Sequence, residues 1–387
     1  MDKDIISVIE IGTSKIIVLI AELDCYNELN IIGIGEEISY GIKAGVVVSI
    51  TACSESIKKA IDKAEIMAGK KISSALIGIS CDFYGEQVLS KTIEIKNSSI
   101  TQADLDILIH NTKINLEESD IEPIHLSAQK YLIDDHLEVN NPIGINSKNI
   151  TAEFYSISVN KKQLTNIKTC IANCGITNYS FALNSIASAH ILSPEQKQDG
   201  VALVDIGAGK TNLIIYSENK IQYACFIPMG SYFLTNLLKE KLGIVYSQAE
   251  MLKKDYGLSY LYNTPDENVL SISEVRANST KKFSKAQISE IIKMGMDEII
   301  QELNSKIKAS GYHEKLKSGI VFTGGGSMLN AFNEYLKNHV GICYKTIIGH
   351  STDLSSDIRL NKAIYSSSKG LLKLAVNKAY QKNVKKE

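Results

Sequence analysis

Val201 to Phe226 reads VALVDIGAGKTNLIIYSENKIQYACF and holds the densest group of residues suited to phosphate chemistry. An apolar run carries Asp205 near its end, and Gly207, Ala208, Gly209, Lys210 and Thr211 follow. A second apolar run, a polar turn at Ser217 to Lys220 and a third run complete the stretch. The pattern predicts strand, tight loop, strand, turn and strand. Glycines at 207 and 209 let the loop fold tightly and bring backbone N–H groups close to an anion. A carboxylate beside such a loop suits hydrated Mg²⁺, which keeps most of its waters while resting on phosphate oxygens. Gly209-Lys210-Thr211 imitates the end of a P-loop. That motif needs a glycine at 204, where Val204 stands, and a helix after Thr211, where a β-rich run follows.

The same plan occurs near the start of the chain. Ser7 to Ala21 reads SVIEIGTSKIIVLIA: an apolar run with Glu10, then Gly12, Thr13, Ser14 and Lys15, then a second apolar run. A third run, Asn30 to Gly35, follows a polar turn. A repeat of this length, half a chain apart, predicts two similar domains that grip phosphates between facing glycine hairpins. A third element, Ser318 to Leu329, reads SGIVFTGGGSML. Its strand ends in Gly324, Gly325 and Gly326, where missing side chains let a flat nucleoside lie on backbone, and Ser327 is expected to cap a helix. Two hairpins and this loop, in this order, resemble the phosphate-1, phosphate-2 and adenosine motifs of the superfamily of actin, the heat-shock chaperone ATPases and the sugar kinases. The fold that this implies is α/β: an actin-like, ribonuclease H-like, duplicated two-domain ATPase fold.

The elements that must position these loops are set by length and pattern. A chain of 387 residues, 44% hydrophobic and 22% charged, holds two or three globular domains with a sizeable core. A formal net charge of −1 gives no electrostatic case for nucleic acid. Seven scattered cysteines read as reduced thiols in a cytoplasm. Cys170 and Cys174, one helical turn apart, read as packed thiols in preference to a metal pair. No apolar run approaches the roughly 18 residues that cross a bilayer.

Helices are expected at Ser56 to Ala68, Lys162 to Ala172, Asn184 to Leu192, Gly230 to Leu242 and Ser247 to Tyr256. Ser284 to Ser310 is the longest, and Ala363 to Lys382 closes the chain. Ser247 and Glu250 have capping-box spacing, and Glu250 and Lys253 share a helix face. From Tyr84 to Asn160 the pattern changes to one helix beginning at Thr101 and about three strands, Gln87 to Ile95, Leu126 to Val139 and Asn149 to Val159, read as an inserted subdomain. Pro194 to Gly200 reads as a polar link, Asn268 to Val275 as a strand, and Asp353 to Leu360 as a mostly polar loop.

Over nearly its full length the chain resembles the FtsA family of actin-like bacterial cell-division proteins. The resemblance lies in Glu10 to Lys15, Ile42 to Val48, Ala64 to Ser80, Asn141 to Gly144, Ala249 to Gly257, Gly319 to Gly326 and Lys369 to Leu372. The insertion fits subdomain 1C, which replaces actin's 1B. The implied division is subdomain 1A at 1–83 and 161–195, 1C at 84–160, 2A at 196–242 and 310–345, and 2B at 243–309. Residues 346–387 return to 1A as the closing helix and basic tail.

The resemblance implies binding of ATP with Mg²⁺, Asp205 positioning the cation or a water as the one catalytic candidate, and weak or no ATPase activity. Gly12, Thr13, Ser14 and Lys15 would hold β-phosphate oxygens, Gly207 and Gly209 the γ-phosphate side, and Glu250, Lys253, Gly324, Gly325 and Gly326 would surround the nucleoside. Glu10, Ala208, Lys210 and Thr211 would complete the cofactor-binding set. It also implies binding of the FtsZ C-terminal tail through 2B, with Arg276, Lys281, Lys282 and Phe283 suited to an acidic, partly apolar peptide. Filament self-association and contact with other divisome proteins through 1C are implied as well. So is tethering of the Z ring at midcell, on the cytoplasmic face of the inner membrane.

The sequence departs from the family pattern at three points in the second hairpin. Ala208 replaces a glycine and would crowd the loop if its φ had to be positive. Lys210 replaces a threonine and brings positive charge that favours phosphate, and Asn212 replaces an acid. The basic segment Lys373 to Glu387 lacks the broad apolar face of a membrane-surface helix, so membrane association is expected through partners or through a helix beyond Glu387. Two other functions compete: a pilus-assembly adaptor resembling PilM, and a small-molecule kinase of the same superfamily. A kinase needs a distinct general base in the cleft, and no acid beyond Glu10 and Asp205 lies near either hairpin.

Overall fold

The computed structural model describes residues 4–23, 29–117, 120–261, 269–273, 280–339, 346–348 and 358–384. The elements run in chain order β1 (Asp4–Ile11), β2 (Lys15–Leu23), β3 (Leu29–Ile38), β4 (Ile42–Lys43), β5 (Val46–Val47), α1 (Ile50–Ala68) and β6 (Ser74–Ile79). Next come β7 (Phe83–Glu94), α2 (Gln102–Glu117), β8 (Ile121–Ile133), β9 (Leu137–Val139), β10 (Asn149–Asn160), α3 (Lys161–Asn173), β11 (Asn178–Leu183), α4 (Asn184–Ser188) and α5 (Pro194–Asp199). The second half holds β12 (Val201–Ile206), β13 (Thr211–Ser217), β14 (Lys220–Ile227), α6 (Ser231–Leu242), α7 (Tyr246–Tyr256), β15 (Val269–Ser273), β16 (Thr280–Ser284) and α8 (Lys285–Ala309). It ends with β17 (Ile320–Thr323), α9 (Phe332–His339), β18 (Thr346–Ile348) and α10 (Ser366–Val384).

The two glycine hairpins start two sheets of the same design. One has strand order β11-β6-β1-β2-β3 and the other β14-β13-β12-β17-β18. In each, three consecutive strands pair antiparallel and two later strands add parallel to the first. Glu10 lies opposite Ile17 and Gly78, and Asp205 opposite Asn212 and Thr323. The two acids therefore hold the same position in the two copies.

Apolar strands bury both faces of each sheet. Ile9, Ile16, Val18 and Ile77 pack with α1 and α3, in a core that continues into Leu203, Ile214 and Val321 of the second sheet. Leu371 and Leu372 of α10 cover the other face of the first sheet against Ile6, Val8, Ile17 and Leu19. α6, α7, α8 and α9 cover the other face of the second. Cys170 and Cys174 face α1, their thiols donating to Ile50 O (3.7 Å) and Ser54 O (3.4 Å). Among the described residues no helix is long and apolar enough to cross a membrane.

Residues 84–160 form a four-stranded sheet, β7-β10-β8-β9, with α2 packed on it. The expected single strand from Leu126 to Val139 is instead a hairpin. Asp134 and Asp135 turn it with φ of 47° and 65°, values that Asp tolerates better than most residues. The expected link from Pro194 is a short helix, α5, started by a Ser193–Gln196 capping box with Pro194 in its first turn. Ser327 caps no helix: Gly324 (φ 83°) leads into a single 3₁₀ turn, Gly325–Met328, and the Ser327 hydroxyl donates to Gly324 O. The Ser247–Glu250 box does not form either. Val245 N donates to Gln248 Oε1 (3.3 Å), and Glu250 turns to Thr235 (2.6 Å). Of the expected strand Asn268 to Val275, residues 269–273 are described as β15; of the loop Asp353 to Leu360, residues 353–357 lie outside the described residues.

Candidate phosphate-binding cleft

Both hairpins close with the same backbone turn. Gly12 N donates to Lys15 O (3.1 Å) and Gly207 N to Lys210 O (2.9 Å). A Cβ would stand 2.7 Å from the acceptor at Gly12 and 3.0 Å at Gly207, so the turn itself selects glycine. The first turn of α6 braces the second loop: Ser231 N donates to Gly207 O (2.9 Å) and Tyr232 N to Ala208 O (2.8 Å). Ala208 has a negative φ, so the methyl group replacing the usual glycine brings no backbone strain there. The two loops nearly touch. A Cβ on Gly209 would lie 2.7 Å from Ala44 Cα and 3.0 Å from Thr13 Oγ1.

Between the loops lies a cleft of about 110 Å³. It is lined by Glu10, Gly12, Thr13, Ser14, Lys15, Asp205, Gly207, Ala208, Gly209, Lys210, Gly324 and Gly325 among the residues singled out from sequence. At its floor sit the two acids. Burial pushes the Glu10 carboxyl up to about 7, with the charge of Asp205 adding to the rise and Ser367 and Lys15 opposing it. Burial likewise pushes Asp205 up to about 6 against a hydrogen bond from Ser188 Oγ (3.1 Å). Ser367 Oγ donates to Glu10 Oε1 (2.5 Å), whereas Glu10 Oε2 is buried with no partner. Asn184 donates to Ile11 O and Ser80 Oγ, and its Oδ1 is also buried and unpartnered.

Both lysines in the cleft are engaged by protein groups. Lys15 Nζ meets Glu36 Oε1 (3.0 Å) and stands 4.2 Å above the Tyr365 ring. Lys210 is 6% exposed, ion-paired with Asp82 from the other half of the molecule and 4.7 Å above the Phe226 ring. The charge expected to favour phosphate is therefore balanced by Asp82, and it joins the second hairpin to the end of β6.

Several expected contacts lie elsewhere. Thr211 is fully buried, its hydroxyl donating to Met229 O (2.8 Å). Gly324 and Gly326 answer to packing: a Cβ would come 2.2 Å from Asp205 Oδ1 at the first and 2.2 Å from Ile206 Cγ2 at the second. Gly325 alone of the three has room for a side chain: a Cβ there would have Ile364 Cδ1 nearest, at 3.8 Å. Glu250 and Lys253 do not line the cleft. They form an ion pair (2.7 Å), Lys253 buried and Glu250 half-buried, that ties α7 to Ser231 O and Thr235 of α6. Arg276 lies outside the described residues, and Lys281 and Lys282 stand on β16, with Lys282 exposed. Phe283, expected to meet a partner, is half-buried against the second core. Sequence reasoning missed Ser80, Asn184, Ser188 and Ser367. Their signal is small polar residues just after β6, at both ends of α4 and at the start of α10; all but Ser80 are buried.

The FtsA family model ("Cell division protein FtsA") matches residues 202–370, and a second model ("SHS2 domain inserted in FTSA") matches residues 86–158. The chain is 30% identical over 372 residues to the cell division protein FtsA of Neisseria meningitidis serogroup B, covering 96% of this chain and 90% of that protein. It is 28% identical over 371 residues to the FtsA of Pseudomonas aeruginosa, covering 96% and 89%. Among solved structures it is similar to a PilM-PilN type IV pilus biogenesis complex (TM-score 0.65, 13% identity, 96% of this chain and 98% of that one). It is also similar to MreB 5 of Spiroplasma citri bound to AMPPNP (TM-score 0.57, 13% identity, 100% and 99%). The twice-built sheet, the acids at matching positions and the inserted four-stranded sheet are thus those of an actin-like fold with an SHS2 insertion. The chain belongs to the FtsA family of cell division proteins.

Proposed function

We propose that this protein binds ATP with Mg²⁺ in the cleft between its hairpins and uses the bound state to assemble into filaments that organise FtsZ at the membrane. The observation that carries the reading is the pair of matching glycine turns facing each other above Glu10 and Asp205. Backbone N–H groups and the Thr13 and Ser14 hydroxyls would hold phosphate oxygens, and Gly325 would lie under the nucleoside. The residues fit a hydrated Mg²⁺. The two carboxylates and the Asn184 amide oxygen are oxygen donors of the kind that suits this cation, and two of these acceptors, Glu10 Oε2 and Asn184 Oδ1, are buried without a donor. Bound there, the cation would neutralise phosphate charge. Because Gly209 nearly touches Thr13, entry of a whole nucleotide requires the two halves to part.

Turnover is expected to be weak. Glu10 and Asp205 are both held by serines, and Asn212 in the cleft wall is neutral where a base would be useful. The paired strands β15 and β16, which carry Lys281 and Lys282, suit the acidic FtsZ tail, and Arg276 in the sequence between them adds a third basic residue. Self-association and contacts of the 84–160 subdomain with other division proteins complete the reading, at the cytoplasmic face of the inner membrane at midcell.

Co-sedimentation of the purified protein with FtsZ polymers, with and without ATP, tests it. ATP-dependent pelleting that a free FtsZ tail peptide abolishes supports the reading. Pelleting with a pilus-assembly peptide instead, or a phosphorylated small-molecule product, refutes it.

A further inference from the structure

Ser366 and Ser367 open α10, and their hydroxyls reach different halves of the molecule. Ser366 Oγ lies 2.8 Å from Thr323 Oγ1, at the end of β17 in the second sheet. Ser367 Oγ lies 2.5 Å from Glu10 Oε1, near the end of β1 in the first. The helix behind them is firmly seated. Leu371 and Leu372 are fully buried on the first sheet, and Lys369 is fully buried with Asn361 Oδ1 at 3.3 Å. Gly370 passes so close to α4 that a Cβ would stand 1.8 Å from Ala187 O. A carboxylate bonded to this helix turn takes its orientation from it.

That orientation decides what Glu10 can offer. Ser367 donates to Oε1, Ser368 of the same turn also favours the charged carboxyl, and no hydrogen bond of normal geometry reaches Oε2, which is buried in a residue that lines the cleft, as is Asn184 Oδ1. Buried acceptors without donors are costly, so the pair calls for a donor from the cleft. A water in the shell of Mg²⁺ is such a donor, and this cation binds with most of its waters retained. We propose that Ser367 is a positioning residue for the cation that accompanies the nucleotide: by holding Glu10 Oε1 it presents Oε2, in the cleft that Asn184 also lines, to a water of hydrated Mg²⁺. The inference rests on the ATP reading given above. It adds that Ser367, in the first turn of α10, is wired to the cation side of the site, while Ser366 beside it reaches Thr323 at the head of the nucleoside loop.

Calorimetric titration of the full chain with ATP, in Mg²⁺ and in EDTA, tests the role. Ser367→Ala is expected to lose about tenfold of the Mg²⁺-dependent gain in affinity, the scale of one hydrogen bond. Its affinity in EDTA should stay within about twofold of wild type. Ser367→Thr keeps the hydroxyl and recovers the Mg²⁺ gain, and Ser367→Cys, a weak donor of similar size, behaves as alanine does. Equal losses in both media, or an unchanged Mg²⁺ gain in the alanine and cysteine variants, would overturn the assignment. Failure of the ATP reading looks different: wild type itself gives no binding heat in either medium, which overturns both.

Discussion

Replacing Glu10 by glutamine keeps an acceptor for Ser367 and removes a charge that burial disfavours. An unfolded glutamate titrates near 4.5, whereas the buried Glu10 carboxyl is pushed up to about 7. Between these values the folded chain holds a proton that the unfolded chain has released. The unfolded state then binds fewer protons, so stability falls as pH rises from about 4.5 to about 7 and is level above that. At roughly 1.4 kcal/mol per pH unit the interval is worth about 3 kcal/mol. Asp205, pushed up to about 6 from 3.8, acts in the same direction at lower pH and remains in the variant. Urea unfolding without nucleotide at about pH 5 and pH 8 measures the effect. Glu10→Gln should differ little from wild type at the lower pH and gain about 3 kcal/mol on it at the higher. Parallel shifts at the two pH values would refute the reasoning, because they would mean that Glu10 is ionised at both or that the glutamine disturbs packing alone.

The three consecutive glycines should separate by role. Gly326→Ala drives a Cβ into Ile206 and should destabilise by about 1–3 kcal/mol, whereas Gly325→Ala should melt as wild type does yet bind ATP more weakly. Lys210→Thr removes the ion pair with Asp82 across the cleft; because the Asp82 side chain is 36% exposed, the stability loss should be about 1 kcal/mol or less, with the larger effect seen as faster nucleotide exchange. A double-mutant cycle with Asp82→Asn should recover that coupling, and additive effects would deny it. Lys281→Glu with Lys282→Glu should weaken binding of an FtsZ tail peptide in a fluorescence-anisotropy titration and leave ATP affinity unchanged.

The duplicated sheet was legible because strand patterning carries it. Val201 to Ile206 and Ile5 to Ile11 are apolar runs ended by glycine turns, and both the period and the punctuation can be read without a partner. The insertion was legible as a change of pattern. Its extra turn at Asp134 and Asp135 was not, because polar residues within a strand-like run look the same whether the chain continues or folds back. In the site, the glycine loops and two acids were visible since backbone chemistry fixes their residue types. Lys210 lines the cleft as expected, but its countercharge was hidden: Asp82 lies 128 residues away in sequence, and only the packing of the two halves brings them together. The same holds for Ser367 and Glu10, separated by 357 residues. Glu250 and Lys253 share a helix face as expected, but the α6 groups around them turn their ion pair into a brace between helices.

The claim on which the account stands is that the cleft between the two glycine turns receives ATP. Isothermal titration of the full chain with ATP and Mg²⁺ near neutral pH is its most direct test. The account predicts a saturable one-site isotherm, competed by ADP and weakened by Gly325→Ala. Flat heats in wild-type protein that still pellets with FtsZ would contradict it.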